Sequence, residues 1–475
     1  MKLVFNIALV ACFFIGSNGH SQEIWTLKKC IETALQNNPG IAQAELAVGQ
    51  SMLNLKQSQY ARLPQLNASA SGGINFGKNI DPSTNSFVNQ DVTFGNYGLN
   101  YGILLFNGGA VRNGIKRSQV DLHAMQLTFE QASNDLALLV ASQFLTVVRA
   151  DERLAISAKN LENSKNQYET VKKFIRVGTR PELDGYELET QVARAEQSLI
   201  AAENALDLAW LQLKQSMRVP YEQEIELEKV TIPEYGELLN TQFNYETINS
   251  YAQTHQAAVR SAELTLTSAH FSEKIAKAQF YPTLSLGGNV GSNYSSAFKE
   301  PSDFILKRTE VPGITIDDKL VKFEQIGYSP TGYKLIPFGK QADLALNYGL
   351  GLSLQIPIWN QNTTRVNVQR AKLASRQAEI QLQQRKNELS QQIVTALANY
   401  KASIKDYEAA KKTFDAAQTT YLKVQKKMEI GTASTFELTN AQNNAQSAEI
   451  GLVISKYDLL FTKKVLDFYS GKTQL

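Results

Sequence analysis

Long stretches of the chain carry an apolar residue at every seventh position. In the second half the series is Ile393, Tyr400, Tyr407, Phe414, Tyr421 and Met428. The first half has the matching series Val140, Val147, Leu154, Leu161, Tyr168 and Ile175. A seven-residue repeat predicts helices that pack side by side along their length. The predicted long helices cover residues 110–176, 182–217, 363–429 and 435–468, and shorter ones cover 27–62 and 245–280. A helix of about 67 residues spans about 100 Å, which argues against an ordinary globular bundle.

Four other segments alternate apolar residues with small or polar ones, which is the pattern of a strand. The clearest is 344–356, where Leu, Tyr and Ile fill the even positions and Ala, Asn, Gly, Ser and Gln the odd ones. The predicted strands are 65–77, 92–106, 283–294 and 343–358, with a bulge near 94–97. They are about twice the usual five or six residues, which favours membrane-barrel strands over the alternative of a soluble sandwich.

Four strands are too few to close a barrel, and open strand edges are not tolerated in lipid. If these strands cross a membrane, several chains must therefore share one barrel. The predicted fold class is mainly α with a membrane β-barrel portion, in which long coiled-coil-like helices form an α-barrel.

The chain contains two copies of one helix–hairpin–long helix–long helix unit. Early matches between the halves have an offset of 218, as in Pro64 and Pro282, and later ones an offset of 253, as in Arg112 and Arg365. The predicted parts are a first repeat at 22–218, a linker at 219–242 and a second repeat at 243–475. The second repeat carries an insertion, which we expect to form a long extracellular loop at about 295–340.

The first residues, 1–21, have the features of a secretory signal peptide: Lys2, a short apolar stretch, and small residues near the expected cleavage site. A lipoprotein cleavage box ending at Cys12 is an alternative. After an ordinary cleavage only Cys30 remains, so no internal disulfide is expected. No later segment has 18 consecutive apolar residues, so no spanning helix is predicted.

Composition and motifs exclude several other classes of protein. Lys and Arg number 48 against 45 Asp and Glu, so the clustered basic excess of a nucleic-acid-binding protein is missing. Residues 72–79 resemble a phosphate-binding loop, but Asn79 replaces the required Ser or Thr. The histidines, His20, His123, His255 and His270, do not have the spacing of zinc ligands. We therefore expect no catalytic site, no cofactor and no bound metal.

Several short motifs resemble those of the TolC-like outer-membrane factors, the outer membrane efflux protein family. At strand ends they are Leu105-Phe106-Asn107-Gly108-Gly109 and Ile356-Pro357-Ile358-Trp359-Asn360. At helix turns they are Val177-Gly178-Thr179 and Ile430-Gly431-Thr432, the latter followed by Asn440-Ala441-Gln442.

This resemblance covers nearly the whole mature chain. It implies a homotrimer in the outer membrane lipid of a Gram-negative bacterium, with a twelve-stranded barrel and a large periplasmic part. It also implies two kinds of partner, a periplasmic adaptor (membrane fusion) protein and an inner-membrane transporter of RND, ABC or MFS type. The implied role is the passive duct of a tripartite efflux pump or a type I secretion system.

The resemblance also implies that the helix turns form a closable gate. The tips are Gly178, Thr179, Gly431 and Thr432, and the gate candidates are Glu437, Asp184, Asn440 and Arg180. Three copies of Glu437 around a threefold axis would form an anionic ring that favours cations. The alternative is that Glu437 only complements the dipole in the first turn of its helix. The family often has Arg after the second Gly-Thr, where this chain has Ala433, so the polar contacts that close the gate are expected to differ.

Two rival functions remain open at this stage. The first is a non-channel coiled-coil scaffold in the periplasm or on the cell surface, which would be found in a soluble fraction. The second is an exported enzyme, which would require a cleft with convergent titratable groups.

Overall fold

The computed structural model describes residues 24–81, 85–228, 243–316 and 319–472. The predicted signal peptide, Cys12 and most of the predicted linker lie outside the described residues. In chain order the first elements are β1 (Ile24–Trp25), α1 (Leu27–Asn37), α2 (Pro39–Tyr60), β2 (Gln65–Asn75), β3 (Lys78–Asp81), β4 (Ser86–Asn89), β5 (Val92–Asn107), α3 (Ala110–Arg176), α4 (Glu182–Met217) and β6 (Glu226–Leu227). The remaining elements are α5 (Tyr245–His255), α6 (Ala257–Ala278), β7 (Thr283–Ser295), β8 (Lys299–Ile316), β9 (Lys319–Leu335), α7 (Phe338–Leu344), β10 (Asn347–Gln355), α8 (Thr363–Glu429) and α9 (Thr435–Tyr469).

The chain divides into two compact units. The first unit is mainly helical and comprises Met1–Ser51, Asp121–Leu266 and Ala378–Leu475. The second carries the longer strands and comprises Met52–Val120 and Thr267–Gln377. Each unit takes residues from both predicted repeats, so the repeats at 22–218 and 243–475 stay a prediction about sequence ancestry.

The prediction of long helices is confirmed. Helices α3 and α8 each contain 67 residues, and α4 and α9 contain 36 and 35. Positions of the seven-residue series form the cores of the helical unit. One core includes Val140, Phe144, Val147, Leu213 and Met217, and the other includes Leu389, Ile393, Tyr400, Leu459 and Leu466. Each fully buried large side chain contributes about 1.5–3 kcal/mol, so these cores stabilise helices that would not persist alone.

The two shorter predicted helices are both interrupted, and the prediction of continuous helices was wrong. The first breaks at Asn38, which is extended with ψ 120° because Pro39 follows it. The second breaks at Gln256, which has ψ 130° without a proline. Its carbonyl accepts from the N–H groups of Val259 and Arg260 and so begins the next helix.

Four strands form one antiparallel sheet in the order β10–β7–β5–β2. All four predicted strand segments contribute to this sheet. The ladder runs without interruption through Phe94 and Tyr97, so the bulge predicted near 94–97 was wrong. The irregularity lies instead between Leu104 and Phe106, where β5 leaves its regular pairing with β7. None of the described helices is long and apolar enough to cross a bilayer.

The region predicted as a long loop at about 295–340 is ordered as a hairpin of β8 and β9. The segment carries Pro301, Pro312 and Pro330, which favoured a loop, and the strands accommodate the first two with register shifts next to Asp303 and between Val311 and Ile314. The fourth strand also begins later than predicted, because α7 occupies 338–344. The side chain of Gln341 holds α7 by donating to the Ile336 carbonyl at 2.7 Å and accepting from the Ser295 N–H at 2.9 Å.

Candidate functional site

The candidate site consists of two helix turns, which we call the first tip (residues 177–181) and the second tip (residues 430–434). Both helices that lead into the tips end in a glycine with positive φ, Gly178 at 76° and Gly431 at 78°. The threonine that follows closes the turn: Thr179 N donates to Phe174 O at 3.0 Å and Thr432 N donates to Lys427 O at 2.8 Å. This is the Schellman ending, in which a glycine adopts the left-handed conformation at little cost.

The threonine hydroxyls reinforce both tips. Thr179 Oγ1 donates to the Phe174 carbonyl at 2.9 Å, and Thr432 Oγ1 donates to the Lys427 carbonyl at 3.1 Å. Carbonyls at a helix end have no partner within the helix. The four residues predicted as the helix-turn tips therefore have the same structural role in both halves of the chain.

The helices that leave the tips begin differently. At the second tip, Ser434 and Glu437 form a capping box: Glu437 N donates to Ser434 Oγ at 3.1 Å, and Ser434 N donates to Glu437 Oε2 at 3.4 Å. At the first tip the N-cap is Pro181, whose side chain makes no capping bond. Pro181 also has no backbone N–H, so the carboxylate of Asp184, at the position matching Glu437, accepts from Arg180 instead.

Arg180 connects the two tips. Its Nη1 donates to Asp184 Oδ2 at 3.1 Å, and the two side chains are only 16% and 17% exposed. Its Nη2 contacts two groups of the second tip region, Met428 Sδ at 3.2 Å and the Ala433 carbonyl at 3.5 Å. We call Arg180 with these three partners the tip latch. The resemblance to the TolC-like factors pointed to Arg180 and Asp184 but not to the contacts with the second tip.

Two other predicted residues lie on the surface. Glu437 and Asn440 are both exposed, one turn apart at the start of α9. The exposed Glu437 carboxylate takes part in capping, so the helix-dipole interpretation has a structural basis. The anionic-ring interpretation requires neighbouring copies and stays a prediction.

A polar network behind the tips was missed by the sequence analysis. The buried Gln442 side chain donates to Asn160 Oδ1 at 2.7 Å and to Ser164 Oγ at 3.0 Å. Asn160 in turn donates to Gln446 Oε1 at 2.6 Å. Gln442 belongs to the Asn440-Ala441-Gln442 motif of the sequence, and this motif was the only sequence feature that pointed to the network. Such a network fixes the register of α3 against α9, because any slip would leave buried amides without partners.

Two further polar contacts join other pairs of the long helices, α4 with α9 and α3 with α8. Gln191 and Asn443 exchange amide hydrogen bonds at 2.7 and 3.4 Å. Gln167 donates to the Tyr421 hydroxyl at 3.1 Å. Burial raises the pKa of Tyr421, and the hydrogen bond from Gln167 partly opposes this. Tyr421 therefore stays neutral and holds the α3–α8 packing at physiological pH.

The geometry is suited to holding helices together and does not resemble a reaction centre. No cluster of three or more His, Cys, Asp or Glu suited to holding a metal ion occurs among the described residues. Long helices joined by paired glycine turns, together with one sheet of four strands that carry no charge, are typical of outer-membrane channel proteins.

Comparison with known proteins identifies the family. The profile of the outer membrane efflux protein family matches residues 30–217 and 249–472, and the chain belongs to this family. It is 23% identical to the outer membrane protein TolC of Salmonella enteritidis over 197 residues, which is 41% of this chain and 40% of TolC. The matched region therefore spans less than half of that relative.

Two solved structures show the same fold over most of their length. CusC, whose structure is described in terms of transmembrane channel formation, has a TM-score of 0.73 at 16% identity, covering 94% of this chain and 91% of CusC. VceC of Vibrio cholerae, an outer membrane protein, has a TM-score of 0.72 at 15% identity, covering 94% and 96%. The predicted fold class is confirmed, and family membership places the chain in the outer membrane of a Gram-negative bacterium.

Proposed function

We propose that the chain is one protomer of a trimeric duct that carries substrates across the periplasm and the outer membrane. It would serve a tripartite efflux pump or a type I secretion system, together with a periplasmic adaptor and an inner-membrane transporter of RND, ABC or MFS type. The duct is passive, so energy and cargo selection come from the transporter. The two repeats at 22–218 and 243–475, joined by the linker at 219–242, are part of this proposal.

The observation that carries the proposal is the pair of open edges in the four-stranded sheet. Strands β2 and β10 are its outer members, and within the described sheet each is paired on one side only. Apolar side chains such as Leu66, Leu350 and Leu352 are exposed on these strands. In hydrocarbon the unpaired backbone groups of an edge would each cost several kcal/mol. Identical copies that join β2 of one protomer to β10 of the next satisfy all edges in a closed barrel.

The two tips supply the gate in this proposal. The tip latch holds the second tip to the first, and opening separates them. Three copies of Glu437 would then surround the entrance as an anionic ring. The neutral Asn440 adds no second ring of charge.

The test combines fractionation with conductance. The expected result is that the full-length protein is recovered from the outer membrane with detergent and forms discrete ion channels in planar lipid bilayers. A heat-unfolded sample of the same preparation is the control, and it should give no channels. Recovery in the soluble periplasmic fraction without channel activity would support the coiled-coil scaffold instead.

A further inference from the structure

The four strands of the main sheet are free of charge. Strands β2, β5, β7 and β10 contain no Asp, Glu, Lys, Arg or His, whereas charged residues make up 20% of the whole chain. A strand that faces lipid must avoid charge on its lipid side. The side that faces away from lipid is free to carry charged residues. Their absence from that side of the sheet therefore bears on what the side contacts.

The strand register separates the two sides. Residues directly paired across an antiparallel ladder point to the same face. One face, which we call the apolar face, includes Leu66, Leu99, Tyr101, Val290, Tyr348, Leu350 and Leu352. The other, which we call the amide face, includes Asn67, Ser69, Asn96, Asn100, Ser285, Asn289, Asn293, Asn347 and Ser353, with glycines between them.

Asparagines form a row across the amide face. Asn67 pairs with Asn100, and Asn100 pairs with Asn289. Asn289 Nδ2 donates to Asn347 Oδ1 at 3.4 Å on the next strand. All four side chains belong to exposed residues. A row of amides presents donors and acceptors in equal measure and no net charge.

Glycines let these amides lie along the sheet. A Cβ atom at Gly349 would lie 2.9 Å from Asn289 Oδ1, and one at Gly291 would lie 3.4 Å from Asn347 Oδ1. Each amide therefore extends over the backbone of a neighbouring glycine. Around the asparagine row the face keeps a polar surface without long side chains projecting from it, while Phe94 and Leu104, which share this face, lie towards its two ends.

We propose that the amide face lines the conducting path of the strand section and passes solutes without preference for the sign of their charge. The inference rests on the proposed function, because only a pore gives this face a lumen. Charge selection in pores comes from rings of charged side chains, and the strands supply none. The solutes that fit are polar or amphiphilic molecules of either sign, which hydrogen-bond transiently to amides and hydroxyls.

The test compares thiol modification on the two faces in lipid vesicles. Asn100→Cys lies on the amide face, and its sequence neighbour Leu99→Cys lies on the apolar face. Each is treated with a cationic and an anionic methanethiosulfonate reagent, and rates are divided by those for free cysteine. The native Cys30 is fully buried and burial raises its pKa to about 12, so the unsubstituted protein serves as a blank. Ser285→Cys repeats the amide-face measurement if Asn100→Cys does not fold.

We expect both reagents to modify Asn100→Cys and neither to modify Leu99→Cys. One unit charge at about 4 Å in water changes each rate about fivefold, in opposite directions for the two reagents, so it changes the ratio of their rates about 25-fold. At Asn100→Cys the two normalised rates should differ by less than about fivefold. Adding Asn289→Asp to Asn100→Cys places a carboxylate directly beside the thiol. This variant should favour the cationic reagent by about fivefold or more, which shows that the assay detects a single charge.

The same experiment distinguishes a failure of the neutral path from a failure of the membrane duct. A bias of about fivefold or more for one reagent at Asn100→Cys, or no reaction with either, would overturn the neutral path and leave the membrane duct intact if Leu99→Cys stays protected. Free reaction of Leu99→Cys with both reagents would show that water covers both faces, and it would overturn the membrane duct itself.

Discussion

Replacing Arg180 with alanine tests how the two tips are held together. The Arg180–Asp184 pair lies within the first tip and its helix, so it stabilises the fold of that turn without joining the tips. A hydrogen bond between charged groups contributes about 1.5–3 kcal/mol, and this pair is little exposed. Only the contacts to Met428 Sδ and the Ala433 carbonyl, at 3.2 and 3.5 Å, cross between the tips.

The contact to the Ala433 carbonyl is long, and the thioether sulfur of Met428 is a weak acceptor, so together they contribute about 1 kcal/mol. Loss of about 1 kcal/mol from the closed state raises the ratio of open to closed channels about fivefold. We therefore expect Arg180→Ala to raise the ratio of open to closed states in single-channel recordings by at least about fivefold, which is the effect of one latch, and by more where the three latches of the trimer open together. The variant should also lower the free energy of unfolding by about 1–3 kcal/mol, because the carboxylate of Asp184 is left without its partner.

Two variants separate these effects. Arg149→Ala removes an arginine of α3, outside the tips, that pairs with Asp458 at 3.2 Å, where the side chains are 34% and 55% exposed. It should leave gating unchanged and cost less than about 1 kcal/mol of stability. Arg180→Lys keeps a positive charge but loses the second nitrogen that reaches the other tip, so it should open more often with a smaller loss of stability. Equal open probability in Arg180→Ala and Arg149→Ala would refute the latch.

Three further predictions follow from single residues. Glu437→Gln retains a side-chain oxygen for the capping box but removes the charge. Block of the conductance by divalent cations should therefore weaken, while thermal stability changes little. Unchanged block would show that Glu437 is not part of the gate. Gly431→Ala forces an L side chain to φ 78° and should cost about 1–2 kcal/mol in chemical unfolding, whereas Gly451→Ala, in the interior of α9 with open space around it, should stabilise by up to about 1 kcal/mol. Burial raises the pKa of Cys30 from 9.0 to about 12, so its contribution to stability is present below pH 9 and is lost between pH 9 and pH 12; a Cys30→Ala protein showing the same loss of stability across that range would contradict this.

Sequence periodicity was sufficient for the long elements because their burial repeats regularly. The bounds predicted for α3 and α8, 110–176 and 363–429, are those found in the structure. Prediction from periodicity failed where a local constraint acted against the repeat of apolar residues. Pro39 ended α1 within an otherwise helical segment, and the prolines of the 295–340 segment concealed the β8–β9 hairpin. Backbone geometry at such points depends on a few hydrogen bonds that a repeat does not encode.

The candidate site was only partly predictable for a related reason. The glycines of the tips carry a local signal, because positive φ favours glycine at a helix end. The contact between Arg180 and Met428 has no such local signal in the sequence. Met428 is 248 residues away along the chain, and the contact depends on how α3, α4 and α8 pack. The different roles of Asp184 and Glu437 were also hidden until the N-caps, Pro181 and Ser434, were seen in place.

The number of chains in the membrane-embedded particle tests the account most directly. In the proposed duct, copies of the chain pair the open edges of β2 and β10 to complete one sheet between them. Native mass spectrometry of the protein in lipid nanodiscs should give the mass of three chains as the dominant species, and the same preparation should conduct ions. A stable single chain in lipid, with no conductance, would contradict the shared barrel and with it the proposed duct.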